Sequence, residues 1–265
     1  MESSQQNKNA WNNGTYQSWV NRFGTPEEAA EKIKQDPQKR IGTAFKHMEE
    51  HIQGKKIINL LGSNGNKAVA LALLGAELTI VDFSAENEQY AQDLARAAGV
   101  PLQYIVSDVL QLPLNELTHQ YDIVFMEFGI LHYFTDLQPL FHVVSSLLAS
   151  GGRLVLQDFH PISTKLITSK GTTANIRKHK VTGDYFDTSL TEKAVSYSKY
   201  AESDQADKDE QKVYLRQWTI GEIVTAVATS GLMIKVLEEL PNQSSEVFDK
   251  GIPKTFTVVA EQLHS

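Results

Sequence analysis

The chain has 265 residues, 32 acidic against 25 basic side chains for a formal charge of −7, and no cysteine. That length builds a core without disulfides or thiolate zinc clusters, neither of which is possible here, and the negative balance works against nucleic acid or anionic lipid as partner. The apolar runs fall short of the roughly 20 residues that span a bilayer, and MESSQQNKNAWNNG at the amino terminus has no basic segment leading into an apolar one, so a cytoplasmic protein is expected.

The first 24 residues are polar with interspersed Trp11, Tyr16, Trp19 and Phe23. Thr25-Pro26-Glu27-Glu28 then reads as a capping box with proline at the first helical position. A second helix is expected from Lys39 to Gln53. Strand Lys56 to Leu61 ends in Gly62-Ser63-Asn64-Gly65, a helix from Asn66 to Leu74 stops at Gly75, and strand Leu78 to Val81 ends at Asp82. Ser84 caps a helix running to Gly99. There follow strands Leu102 to Val106 and Ile123 to Met126, a helix from Asp136 to Leu148, a Gly151-Gly152 turn and strand Arg153 to Gln157.

This alternation of short apolar runs with helical spacing predicts a doubly wound, Rossmann-like α/β sheet, mostly parallel. It lapses from His160 to Gln217, where the charged run Ala201 to Lys212 reads as a solvated loop. A second capping box, Thr219 to Glu222, opens a helix to Ser230. Strands Met233 to Leu240 and Thr255 to Ala260 follow, too close for a helical crossover and so expected as an antiparallel end to the sheet. The expected organisation is an amino-terminal helical cap at 1–55 and a sheet domain at 56–265 with a substrate-side insertion at 161–217.

Glycines between a strand and a helix let backbone amides face a ligand from the helix amino terminus. The loop NLLGSNGNKA, Asn59 to Ala68, is neither GxxxxGK[ST] nor GxGxxG. Two carboxylates reinforce it. Asp82 ends the second strand, where an acid accepts both hydroxyls of a ribose, and Asp108 ends the third in the same position.

The run IINLLGSNGNKAVALALLGAELTIVDFS resembles the first two motifs of class I S-adenosylmethionine-dependent methyltransferases. SDVLQLP resembles their third motif, YDIVFMEFGILHYFTDL their fourth, and LLASGGRLVLQDFHP their fifth strand with its Gly-Gly turn. The resemblance implies S-adenosyl-L-methionine as cofactor, with Asn59, Leu61, Gly62, Ser63 and Gly65 around its methionine part. It further implies Asp82, Phe83 and Ser84 at the ribose and adenine, Asp108, Val109 and Leu110 at the adenine edge, and Met126, Glu127 and Phe128 at the methionine end, with the Glu127 carboxylate near either the sulfonium or the amino group. Tyr16, with Trp19, corresponds to an aromatic element that folds over the methionine end in relatives. Where relatives carry DxGxGxG this chain has Asn59, Leu61 and Ser63 in place of the acid and the first two glycines, which implies a turn shifted onto Gly62.

The family reaction is a direct displacement in which protein groups orient the acceptor, and a base is needed only where the nucleophile loses a proton. His132 and His160, just past the fourth and fifth strands, are the candidate catalytic residues, and an imidazole at either place can titrate near neutrality. His47-Met48-Glu49-Glu50-His51 matches a zinc pattern without an obvious third ligand, and no metal is expected. Tyr185, Phe186, Tyr197, Tyr200, Tyr214 and Trp218 either line an acceptor pocket or form a satellite core. The leading expectation is methyl transfer to a small-molecule acceptor by a monomer or homodimer. A nicotinamide-dependent oxidoreductase is the alternative, because an acid after the second strand serves that cofactor too, although no tyrosine is followed four positions later by lysine. An inactive binding module on the same fold is the third.

Overall fold

The uninterrupted apolar runs of the sequence are the inner strands of a sheet buried on both faces. A computed structural model describes residues 2–48, 52–170, 178–200, 212–243 and 251–262. Its strands are β1 (Lys56–Leu60), β2 (Glu77–Asp82), β3 (Gln103–Val106), β4 (Tyr121–Glu127), β5 (Leu148–Phe159), β6 (Ile167–Lys170), β7 (Lys178–Val181), β8 (Leu190–Ala194), β9 (Lys212–Arg216), β10 (Leu232–Leu240) and β11 (Thr255–Gln262). The helices are α1 (Glu2–Ala10), α2 (Thr15–Phe23), α3 (Pro26–Gln35), α4 (Pro37–Ile41), α5 (Asn66–Leu73), α6 (Ala85–Ala98), α7 (Leu114–Leu117), α8 (Gln138–Leu147) and α9 (Ile220–Thr229).

Seven strands form the main sheet in the order β3-β2-β1-β4-β5-β11-β10. The first five are parallel, and β11 runs antiparallel to both β5 and β10. The antiparallel end of the sheet is where the short Leu240–Thr255 connection places it. Chain order reverses between β1 and β4, so a crevice opens beyond their carboxyl ends, the place where open α/β sheets bind ligands.

Ile57, Ile80, Phe125 and Val155 face a core shared with α2 to α6. Ile58, Val81, Val124 and Leu154 face the other, shared with α8 and α9. The alternation is the two-residue period of a strand, with both faces apolar. The capping boxes form as expected: Thr25 and Glu28 close α3, and Thr219 and Glu222 close α9.

One expectation is corrected, and two stretches without assigned elements gain them. The helix expected from Lys39 to Gln53 is broken: α4 stops at Gly42, whose φ of 83° lies in the left-handed region, and a 3-10 turn covers Thr43–His47. The polar amino-terminal segment, expected within a helical cap but without helix bounds of its own, forms α1 and α2, and distant residues hold it. The Asn7 amide donates to the Tyr214 carbonyl and accepts from the Tyr214 amide (3.3 and 2.9 Å), and the Tyr197 hydroxyl sits against the Ala10 and Asn13 carbonyls. The irregular stretch after His160 contains two antiparallel pairs, β6 with β7 and β8 with β9. Of the charged run, Ala201 to Gln211 lies outside the described residues. Among the described residues no helix is long and apolar enough to cross a membrane.

Candidate active site

The loop after β1 keeps a left-handed backbone where its glycines are missing. Leu61 and Ser63 have φ of 52° and 48°. Gly62 is not among the positive-φ residues, so the turn has not shifted onto it. Holding side chains in this region costs about 1 kcal/mol or more each, and the loop is pinned from outside. Tyr104 donates to the Ser63 carbonyl (3.0 Å), and the Ser63 amide donates to Asp82 Oδ2 (3.2 Å). Gly62 is needed for space, since a Cβ there lies 2.6 Å from Asn59 Oδ1 and 2.9 Å from Ile80. Gly65 is needed twice over: its φ is 73° and a Cβ lies 2.7 Å from that of Ala91. Buried Asn59 donates to the Phe125 carbonyl and ties β1 to β4.

Asp82 is a hub. Its Oδ1 accepts from the Ser84 amide (3.0 Å) and Asn87 Nδ2 (3.1 Å), and its Oδ2 from the Ser63 amide. Burial raises its pKa against these three hydrogen bonds. A carboxylate offers about four lone-pair sites, so one remains, on Oδ2, where two ribose hydroxyls were expected. Phe83 is half-buried, whereas Ser84 is fully committed, its hydroxyl capping α6 through the Asn87 amide and donating to the Trp11 carbonyl (2.7 Å). Ser84 is therefore a structural residue, a correction to its expected cofactor contact. Tyr16 is corrected too. Its hydroxyl donates to Asp93 (3.0 Å) and its ring meets Tyr90 edge-on, both on α6. The aromatic that reaches the strand ends is Trp11, whose Nε1 donates to the Tyr133 hydroxyl (3.1 Å).

Beyond β3, Asp108 caps a 3-10 turn by accepting the Leu110 amide (3.0 Å), Val109 is buried, and Leu110 and Val106 stay about two-fifths exposed. At β4, Met126 is wholly buried in the core and presents nothing to a ligand, because strand alternation turns it inward. Glu127 points the other way and pairs with Lys67 of α5, side chains 16% and 21% exposed, while the Lys67 ammonium lies 5.0 Å from the Phe128 ring centroid. Burial raises the Glu127 pKa, Lys67 opposes this, and the neighbouring Asp158 charge adds to it. Phe128, at φ 39°, stacks at 5.2 Å on Phe159.

Asp158 and Lys67 are the residues sequence reading missed. The buried Asp158 carboxylate accepts the amides of Gly129 (2.6 Å), Phe159 (2.7 Å), Ile130 and Leu131 (both 3.4 Å), which fixes the loop after β4. Burial raises its pKa against those bonds. Its signal was an acid immediately after an apolar strand, and that of Lys67 was a cation inside the glycine loop itself.

The two histidines are not brought together. The His160 ring is 1% exposed, its Nδ1 accepts the Ile162 amide (3.1 Å), and its Nε2 meets Glu239 (2.6 Å). With both nitrogens engaged it holds β5 to β10, and the catalytic expectation for it is corrected. His132 stacks on Tyr133 at 4.6 Å and, among the described residues, its ring takes no hydrogen bond. Burial lowers its pKa to about 4, with Lys193 adding to the effect, so it is neutral at pH 7 and does not titrate near neutrality. It lines a cavity of about 50 Å³ with Phe159, Thr164, Gln217 and Trp218, enough for a few waters.

The remaining candidates divide. His47 approaches Glu238 at 3.6 Å, and Glu49, Glu50 and His51 lie outside the described residues. Tyr197 and Trp218 are buried, Trp218 donating to the Leu131 carbonyl, and the Tyr185 hydroxyl accepts the Ile220 amide. Tyr200 packs on Trp19 and Arg22, and Tyr214 holds Asn7 through its backbone. Phe186 is 79% exposed. Tyr197, Tyr200 and Trp218 thus pack with the core, and Trp218 also lines the cavity beside His132.

Gly62–Gly65, Asp82, Asp108 and Glu127 all stand at the carboxyl ends of β1 to β4. The buried Asn66 Oδ1, at the start of α5, has no hydrogen-bond partner among the described residues. An orphaned acceptor, an open lone pair on Asp82 and exposed Leu110 and Val106 are an acceptor and apolar set that fits the hydroxyls and base of an adenosine carrying a cationic tail. Comparison with known proteins agrees. Residues 61–156 match a family model described as a methyltransferase domain. Demethylmenaquinone methyltransferase from Thermus thermophilus is 31% identical over 109 residues, 40% of this chain and 48% of that protein, so the chain spans about half the length of that curated relative. An S-adenosylmethionine-dependent methyltransferase from Mesorhizobium loti superposes with a TM-score of 0.61 at 20% identity, covering 83% of this chain and 98% of that one. Magnesium protoporphyrin IX methyltransferase from Synechocystis, solved with bound S-adenosylhomocysteine, does so with a TM-score of 0.57 at 14% identity, covering 98% and 99%. At these identities the superpositions speak for the fold.

Proposed function

We propose that the chain, whose residues 61–156 match a methyltransferase domain, is a class I S-adenosylmethionine-dependent methyltransferase that transfers a methyl group to a small-molecule acceptor by direct displacement. The observation that carries this reading is the placement of the loop, Asp82, Asp108 and Glu127 at the strand ends beside the point where chain order reverses. When bound, S-adenosylmethionine supplies a methyl activated by a positive sulfur.

The chain's own residues do the rest. Asp82 Oδ2 takes a ribose hydroxyl, Phe83 and Leu110 flank the adenine, and Asp108 with the Val109 amide meets its edge. Glu127 and Asp158 give the crevice a negative wall that favours a cation over the neutral product. His132, with a pKa of about 4, is too weak a base to remove an ordinary hydroxyl proton at pH 7. It accepts a hydrogen bond from the acceptor and so orients the nucleophile.

A small acceptor is supported by the roof over the crevice, where α1 is fastened to β9 through Asn7 and Tyr214, and by the −7 charge, which disfavours nucleic acid. The test is release of S-adenosylhomocysteine with methyl-labelled cofactor and a cell extract divided by ultrafiltration. Turnover follows the low-molecular-weight filtrate. Turnover confined to the retained macromolecules overturns the acceptor class.

A further inference from the structure

Lys67 of α5 and Glu127 of β4 form an ion pair at the carboxyl-end side of the sheet, beside the point where chain order reverses. Both heads are largely withdrawn from solvent. A partly buried ion pair is a poor device for stability, because the desolvation cost offsets much of the attraction. This one stands at strand and helix ends, Glu127 closing β4 and Lys67 in the first turn of α5, not in the apolar core. Its surroundings are uneven: Lys67 rests over the Phe128 ring, while Glu127 feels the Asp158 carboxylate and stands at the same end of the sheet as the orphaned Asn66 Oδ1.

We infer that Lys67 and Glu127 are a clamp for the zwitterionic amino-acid end of the cofactor, Lys67 binding its α-carboxylate and Glu127 its α-ammonium. The inference rests on S-adenosylmethionine being the cofactor, and it assigns Lys67 as the residue that distinguishes an α-amino acid from other adenosine thioethers. In the free protein each head satisfies the other. On binding, the ligand's two charges enter between them, so each protein charge exchanges one partner for another of the same sign and no charge is left buried alone. Two buried carboxylates, Glu127 and Asp158, stand against one ammonium, so the ligand's ammonium has a counter-charge even when its carboxylate takes Lys67.

The test is calorimetric titration of the whole protein with three thioethers of uncharged sulfur, S-adenosylhomocysteine, decarboxylated S-adenosylhomocysteine and 5′-methylthioadenosine. The native protein is expected to bind S-adenosylhomocysteine at least tenfold more tightly than the decarboxylated compound, as one charge-assisted hydrogen bond warrants. Lys67→Met brings the two to within about threefold while leaving 5′-methylthioadenosine unchanged, and Lys67→Arg keeps the discrimination. If Lys67→Met does not give a folded protein by thermal denaturation, Lys67→Gln reads the same ratio. A native protein that binds none of the three overturns the cofactor assignment on which this depends. A native protein that discriminates and a folded Lys67→Met or Lys67→Gln that discriminates equally overturns the clamp alone.

Discussion

The carboxylate of Asp158 accepts the amide of Gly129 at 2.6 Å, and the same group gathers the amides of Ile130, Leu131 and Phe159. One buried side chain thus fixes the segment that carries Phe128 and His132 at the end of β4. Four backbone donors take the place of a cationic partner and solvate the charge.

Replacing Asp158 by alanine strands those amides. Unfolding free energy should fall by about 3 kcal/mol, read as a lower denaturant midpoint at unchanged slope. Asp158→Asn retains an acceptor oxygen and should lose about half as much. Equal stability of the native protein and Asp158→Ala would remove Asp158 from this role.

The loop after β1 makes an opposite prediction. Ser63 sits at φ 48° and contributes its amide and carbonyl to the bonds that hold the loop, neither of which needs its side chain. Ser63→Gly relieves the conformation and should be neutral to stabilising by about 0.5 to 1 kcal/mol, after the entropy cost of glycine. Gly65→Ala, forced to the same side of φ and against Ala91, should lose about 1 to 3 kcal/mol. The pair of denaturation midpoints, one held or raised and one lowered, checks the conformational argument.

His132 gives the pH dependence. Its folded pKa, about 4, lies below the ordinary value of 6.5 because burial disfavours the imidazolium. The unfolded chain therefore binds the proton first, so His132 costs no stability above pH 6.5, and stability falls progressively from there towards pH 4. The full effect is on the order of 3 kcal/mol. His132→Phe should remove that part of the acid dependence of the unfolding free energy between pH 7 and pH 4. An unchanged curve would show that the ring is not held neutral.

How far the sequence carried this reading differs by level. The inner strands were legible because a strand buried on both faces is an unbroken apolar run, and β1, β2 and β4 fall within two residues of their expected ends. The capping boxes at Thr25 and Thr219 were legible because they are local hydrogen-bond patterns. Helix α1 was not, since nothing in ESSQQNKNA is amphipathic and the element depends on Asn7 meeting Tyr214, 207 positions away. In the site, Asp82 and Asp108 could be placed from their positions at strand ends, but the number of bonds Asp82 already accepts could not. His132 and His160 were equivalent in sequence. Only packing shows that Glu239 and the Ile162 amide occupy both nitrogens of one while the other is left facing a cavity.

The account's central claim is that the crevice at the carboxyl ends of β1 to β4 binds S-adenosylmethionine through Asp82, and calorimetric titration tests it most directly. The native protein should give a saturable one-site heat with S-adenosylmethionine, and Asp82→Ala, confirmed folded, should bind at least tenfold more weakly. No heat with the native protein, or equal affinity in the two, would contradict it.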